Sequence, residues 1–314
     1  MDYVVNGSIF INDILEADGT QRKGLPGGAG LFAFGGILLY TGSCVCVSGR
    51  GTDWEKWFGA WSRANRICED GLVPYDNITI VSALEYSPDG TWVECMSNGP
   101  REEQREAFEE DCRAMLRRQL LQGAKGLYAV QPLDDAKFWD AVFDSGREAK
   151  FTTMMELFTQ DCRPENLERL VGGFFPHIGI FSLNRSESFE LFSADSEEAV
   201  IQKLRQLGKP CYYRVGKKGA YMVTKDEVVF CPSVNPFPGR PEIDPTGCGN
   251  CSTAAALYAF AEGYAAADIA AMAAVAAGYN VLQYGPYPRF DAQTRAEALA
   301  MAGRLAKTLG PARN

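Results

Sequence analysis

The segment Asp244-Pro-Thr-Gly-Cys-Gly-Asn250 has the make-up of an anion cradle. Gly247 and Gly249 let the backbone turn so that its N–H groups converge, and the small-residue run that follows starts a helix at or just after Asn250. The unpaired donors of a first helical turn, together with the helix dipole, favour a phosphate there, and Cys248 need supply only its backbone. The same residues also make an ordinary helix N-terminus in which Asn250 caps the first-turn amides. On the phosphate reading, Gly247, Cys248, Gly249 and Asn250 surround the phosphoryl group. Transfer is a further step, because a neutral amide at position 250 cannot take a proton from an attacking hydroxyl.

Other motifs compete poorly. Gly28-x-Gly30-x-x-Ala33, with Asp53 downstream, fits a loose dinucleotide fingerprint, but Gln21-Arg-Lys-Gly-Leu-Pro26 stands where a strand should lead into it. No G-x-x-x-x-G-K-[ST] occurs. Cys248-x-x-Cys251 has no second pair for zinc, and the single histidine, His177, excludes His-dependent triads and His-rich metal sites. Ten scattered cysteines suggest a reducing compartment, and no basic, apolar leader opens the chain, so a cytoplasmic protein is expected. With 31 Lys and Arg against 40 Asp and Glu, nucleic acid and anionic membranes are poor partners. The uncharged stretch from Leu25 to Gly49 is long enough to span a bilayer, yet its glycines and the β-favouring Cys44-Val-Cys-Val47 divide it into a helix and a buried strand.

The elements that must position the cradle follow from periodicity. Tyr3-Val-Val5, Cys44–Val47, Leu127–Val130, Phe151–Met155, Ile178–Ser182 and Cys211–Val215 read as strands. Between them lie helical patterns at Asp53–Asp70, Arg101–Gln122, Asp134–Ser145, Pro164–Val171 and Ser196–Leu207, and Ala-rich helices cover Cys251–Tyr279 and Asp291–Leu309. Trp54, Trp57, Phe58 and Trp61 recur at helical spacing and read as core. Such alternation predicts an α/β fold with a mostly parallel sheet covered by helices on both faces, binding ligands beyond the carboxyl ends of its strands. Ile9–Ile11 with the polar Glu16–Lys23 segment, and residues 78–97 around the turn Tyr86-Ser-Pro-Asp-Gly-Thr91, read as two hairpins that pair into a small accessory sheet. No linker or internal repeat divides the 314 residues.

DPTGCGN resembles the second signature of the ribokinase or PfkB family of carbohydrate and nucleoside kinases, close to Asp-Thr-x-Gly-Ala-Gly-Asp. The resemblance runs over nearly the whole chain. Gly7-Ser-Ile9 with Asn12-Asp13 looks like the first strand and substrate-binding acid, and Pro26-Gly-Gly-Ala-Gly30 like the di-glycine substrate loop. Asn184-Arg-Ser-Glu187 is similar to the family's Asn-x-x-Glu, Tyr213-Arg-Val-Gly-Lys-Lys-Gly219 to its glycine turn, and Ala273–Gly285 to the helix lining the adenine pocket. The resemblance implies one ribokinase-like domain over 1–314, with β-lid strands at about 8–25 and 78–97 that can also mediate a homodimer. It implies ATP and Mg2+, with K+ as a further ion, and a small sugar or nucleoside substrate. Asn12, Asp13, Gly27 and Gly28 would hold that substrate. Asn184 and Glu187 would order the metal, and Gly216, Gly219, Asp244, Thr246 and Asn280 would serve the nucleotide.

The chain departs from the pattern twice. Asn250 replaces the family's base, and Phe32 replaces an asparagine of the substrate loop. Three explanations of Asn250 stay open: it orients a hydroxyl while Asp13 or another acid accepts the proton; the acceptor is already anionic; or the protein is a catalytically weak or inactive kinase fold that binds a ligand or regulates. Positioning and electrostatics carry most phosphoryl-transfer catalysis, so loss of the base need not abolish turnover.

Overall fold

Strands that are apolar on both sides need cover on both sides, and this requirement organises the chain. A computed structural model of the protein describes residues 1–88 and 92–310. Its strands are β1 (Tyr3–Asn6), β2 (Phe10–Leu15), β3 (Gln21–Gly27), β4 (Cys44–Arg50), β5 (Leu72–Pro74), β6 (Val81–Tyr86), β7 (Trp92–Ser97), β8 (Gly126–Ala129), β9 (Thr152–Glu156), β10 (Ile180–Asn184), β11 (Cys211–Arg214), β12 (Gly219–Val223) and β13 (Val228–Pro232). Nine of them form one sheet in the order β13-β12-β11-β10-β9-β8-β1-β4-β5. Every pairing from β11 to β5 is parallel, and β12 and β13 close the edge antiparallel.

The helices are α1 (Ala29–Leu38), α2 (Ala60–Asn65), α3 (Arg105–Leu121), α4 (Ala136–Glu148), the single turn α5 (Leu167–Arg169), α6 (Arg185–Phe192), α7 (Glu197–Leu207), α8 (Cys248–Ala261), α9 (Ala266–Asn280) and α10 (Ala292–Ala306). Alternation along the strands sorts them into two layers. Tyr3, Val5, Tyr128, Met154, Ile180 and Tyr212 pack with α1, α8, α9 and α10. Val4, Leu127, Met155, Phe181 and Tyr213 face α3, α4, α6 and α7. The doubly covered, mostly parallel α/β sheet expected from the sequence is therefore present.

Some boundaries differ from expectation. The helix anticipated over 53–70 is a π turn (Glu55–Gly59) followed by α2, and it stops where Arg66 turns left-handed at φ 52°. The aromatic spacing is real but serves separate contacts: Trp54 stacks on Phe58, while Trp61 meets Phe34 and Phe290 edge-on. The Ala-rich segment after residue 250 breaks into two helices near Gly263, at φ 79°. Pro164–Phe174 is a chain of short turns, and α6 and the β12–β13 hairpin add to the elements that periodicity predicts. The expected turn at 86–91 runs into residues 89–91, outside the described residues.

The second sheet has the order β3-β2-β6-β7, with β2 and β6 parallel and the outer pairs antiparallel. It joins the main layer where β3 runs into α1. Among the described residues no helix is long and apolar enough to cross a membrane; Leu25–Gly49 is the end of β3, then α1 and β4.

Glycine lets α1 approach α8 closely. A β-carbon on Gly36 would collide with the carbonyl of Cys251, whereas one on Gly303 in α10 would meet open space. Gly36→Ala is expected to lower stability by about 1–3 kcal/mol through overpacking. Gly303→Ala should instead add up to roughly 1 kcal/mol of helix propensity, and urea denaturation of the two variants compares them directly.

Candidate active site

The cradle forms where α8 begins. Gly247 takes φ 75°, a left-handed value that glycine adopts freely, and the ring of Phe32 lies where its β-carbon would be. The backbone N–H of Cys248 donates to the Pro245 carbonyl at 3.1 Å. The amides of Gly247, Gly249 and Asn250 have no acceptor among the described residues, so they, rather than all four amides, are open to an anion. Asp244 is buried and accepts from the Thr246 N–H at 2.9 Å, closing the turn from inside.

Asn280 sits behind this loop. It is 2% exposed, and its amide donates to the Thr246 carbonyl at 2.8 Å and to the Cys248 sulfur at 3.5 Å. The expectation that it lines the nucleotide is corrected: it clasps the loop from the α9 side. The two cysteines pack likewise, with Cys248 Sγ donating to the Ala277 carbonyl and Cys251 Sγ to the Ala276 carbonyl. Burial pushes the Cys248 thiol up to about 11, which leaves the C-x-x-C pair inert at neutral pH.

Beside the loop, between the β11–β12 turn and α9, lies a cavity of about 360 Å³. Gly216, Gly219, Val234, Cys248, Ala277 and Gly278 line part of it, so the glycine turn meets the cradle as expected. Gly216 and Gly219 both have positive φ, and a β-carbon on Gly219 would strike the Cys231 carbonyl.

Under the cradle is a charged group that the motif reading missed. The Arg214 guanidinium occupies the place of a β-carbon on Gly249. Its Nη1 is 2.9 Å from Glu156 and its Nη2 3.7 Å from Glu187. Its Nε is buried without a partner among the described residues. Burial acts to lower the arginine pKa, but the two carboxylates outweigh it and hold it above the usual value. Glu156 also accepts from the Tyr128 hydroxyl at 2.6 Å and from the Asn250 amide at 3.2 Å. Glu156 was legible only as a lone acid ending the apolar run Thr152-Thr-Met-Met, and Arg214 as a charge between a strand and its glycine turn.

Asn184 and Glu187 form a reciprocal capping box on α6: Asn184 Oδ1 accepts the Glu187 N–H at 3.0 Å, and Glu187 Oε2 accepts the Asn184 N–H at 2.6 Å. Glu187 Oε1 takes the Thr159 hydroxyl, and Asn184 Oδ1 also takes that of Ser186. Among the described residues no three acidic, His or Cys side chains gather into a metal cage. These hard oxygens, already hydrogen-bonded, suit a Mg2+ that keeps its waters and phosphate ligands better than one chelated by protein alone.

On the acceptor side, strand alternation separates Asn12 from Asp13. Asn12 is 3% exposed, lies against Gly27 and has a buried Oδ1 without a partner. Asp13 points to the opposite face of the small sheet, beside Lys23, Val93 and Cys95, and accepts from the Gly24 N–H. Of the two expected substrate ligands, only Asn12 faces inward; Asp13 is turned away. Gly27 and Gly28 lie at the base of this side, where a β-carbon on Gly28 would meet the Ser8 carbonyl.

The chain belongs to the pfkB family of carbohydrate kinases, whose family profile matches residues 83–293. Its fold is ribokinase-like. It is similar to a nucleoside kinase of Burkholderia thailandensis solved with ADP and inosine, at 15% identity and TM-score 0.71, covering 99% of this chain and 98% of that one. It is similar to adenosine kinase of Sinorhizobium meliloti, at 19% identity and TM-score 0.69, covering 97% and 99%. Ribokinase of Cryptococcus neoformans var. grubii serotype A in complex with ADP aligns at 16% identity and TM-score 0.68, covering 94% and 98%. No curated protein matches the sequence.

Removing Arg214 leaves two buried carboxylates without their cation. Arg214→Met should cost about 3–5 kcal/mol at pH 7, against no more than about 0.5 kcal/mol for Lys217→Met on the exposed turn. An ionised carboxylate left unpaired in the interior is the costly species. The deficit should therefore be smallest at low pH and grow as pH rises, a trend that urea denaturation at pH 5 and pH 8 measures.

Proposed function

We propose that the protein uses ATP to phosphorylate a hydroxyl of a small sugar or nucleoside-like substrate. The observation that carries this reading is the meeting of three free cradle amides with the glycine-walled cavity beside them. In this arrangement the base and ribose of ATP occupy the cavity, and the transferring phosphoryl group lies on the amides of Gly247, Gly249 and Asn250. Mg2+ would supply charge neutralisation at the phosphates, and Asn184 and Glu187 would hold it. Arg214, paired with Glu156 and Glu187, anchors the floor of the loop, and K+ is a further ion to include in assays.

The acceptor oxygen forms its bond to the γ-phosphorus as the bond to the bridging oxygen breaks, and the bridging electron pair leaves with ADP. Asn250 accepts a hydrogen bond from the acceptor hydroxyl and orients it, but does not take its proton. Asp13 faces away, and Glu156 is committed to Arg214, Tyr128 and Asn250. The proton therefore passes to an oxygen of the transferred phosphoryl group, in keeping with a loose transition state. Turnover should be slower than with a carboxylate base, by roughly a hundred- to ten-thousandfold.

ADP release, measured with Mg2+ and K+ against sugars, nucleosides, polyols and their phosphorylated forms, tests the proposal. Acceptor-dependent release is expected, and Gly249→Val, which drives a side chain into Arg214, should abolish it. Nucleotide binding with no release for any acceptor would favour a ligand-binding or regulatory role instead.

We also propose a homodimer through the small sheet. Val93, Cys95 and Met96 of β7 are exposed, with Val93 at 70% and Met96 at 52%. Sedimentation at several concentrations should show association, and Val93→Lys should weaken it. A wild-type chain that stays monomeric at high concentration would refute the dimer.

A further inference from the structure

Asn250 is boxed in by groups that can only accept a hydrogen bond from it. Its Nδ2 is 3.1 Å from the Tyr128 hydroxyl oxygen and 3.2 Å from Glu156 Oε1. Tyr128 has already given its proton to Glu156 Oε2 at 2.6 Å, so its oxygen is left as an acceptor, and a carboxylate has no proton to give. The amide nitrogen must therefore face these two neighbours. This fixes which end of the side chain is which, and Oδ1 is left without a partner among the described residues.

We propose that Glu156 is the positioning residue of this site: it locks the Asn250 amide with Oδ1 free for the acceptor, and it is the reason position 250 carries an amide in this chain. An aspartate there would bring a second carboxylate to roughly the same separation from Glu156. Two carboxylates so close share one proton instead of both ionising. The titratable and charged groups facing Glu156 are Arg214 from β11, Tyr128 from β8 and, beyond the guanidinium, Glu187 from α6 with Tyr212 and Cys162. The single positive charge among them is already divided between Glu156 and Glu187. A third carboxylate would have no cation of its own.

The consequence runs against simple restoration of the family motif. Asn250→Asp installs the family's base residue, yet in this chain it should produce a partly protonated acid and a misoriented loop. Its natural companion is Glu156→Gln, which replaces the competing carboxylate with an amide able to donate to the introduced one.

The main test needs no ligand and does not depend on the phosphoryl-transfer reading. Thermal unfolding is followed from pH 4.5 to pH 8 for wild type, Asn250→Asp, Asn250→Ser and the double variant Glu156→Gln/Asn250→Asp. Repulsion between the two carboxylates of Asn250→Asp opposes the second ionisation of the pair in the folded state, so the pair costs least at low pH and stability is lost as pH rises. The midpoint gap between Asn250→Asp and wild type should widen by roughly 3–6 °C across this range. The gap for Asn250→Ser, which loses contacts but adds no charge, should stay flat. The double variant should remove most of the widening. A gap for Asn250→Asp that does not widen overturns the proposal, as does widening that persists in the double variant.

A second arm rests on the kinase reading. With an acceptor identified by ADP release, Asn250→Asp should be slower than wild type at pH 7, and the double variant at least tenfold faster than Asn250→Asp. An Asn250→Asp enzyme faster than wild type would overturn the proposal. Wild-type inactivity with every acceptor would count against the kinase reading and leave the unfolding profiles to decide the role of Glu156.

Discussion

One guanidinium, that of Arg214, holds the centre of this molecule. Arg214 leaves the end of β11, passes beneath Gly249 and is gripped by acids from β9 and α6. Two carboxylates share this one guanidinium, and removing it would leave uncompensated buried charge, so the ends of β9, β11 and α6 cannot be placed independently of one another. The glycine at 249 is part of the same arrangement, since a side chain there would push on the guanidinium. The turn before α8 is therefore held from below by an ion-pair network as well as from inside by Asp244.

A second set of contacts ties α1 to α8 and the turn before it through missing side chains. Phe32 of α1 presses on Gly247, and Gly36 lies against the Cys251 carbonyl. The helix that follows Gly27 and Gly28 thus touches the turn that opens α8. Phe32, which looks from sequence like the loss of a substrate ligand, is 2% exposed and fills the underside of the cradle.

Much of the fold was legible because it is written locally. Apolar runs such as Tyr3-Val-Val5 and Cys44–Val47 and the glycine punctuation between them predict the parallel sheet, and DPTGCGN predicts its loop. What stayed hidden depends on contacts distant in sequence. Asn12 and Asp13 are adjacent in sequence, and only the pairing of β2 with β3 and β6 shows which of them faces in. Asn280 looks like a pocket residue until α9 is seen to pass behind the loop. Glu156 and Arg214 carry no motif, because their meaning comes from a salt bridge across two strands. The turn Glu55–Gly59 and the break at Gly263 show the other limit: helical periodicity finds the apolar face but does not say where the helix stops.

The small sheet has a consequence for the turn before α8, because β3 runs straight into α1 and Phe32 of α1 lies against Gly247. A ligand that shifts the small sheet must carry α1 with it, loosen or tighten this contact and so change the free energy of the turn. Thermodynamic linkage then requires the reverse as well: whatever occupies the turn alters the affinity beneath the small sheet by the same factor. The two halves of the cleft are thereby placed in one binding equilibrium.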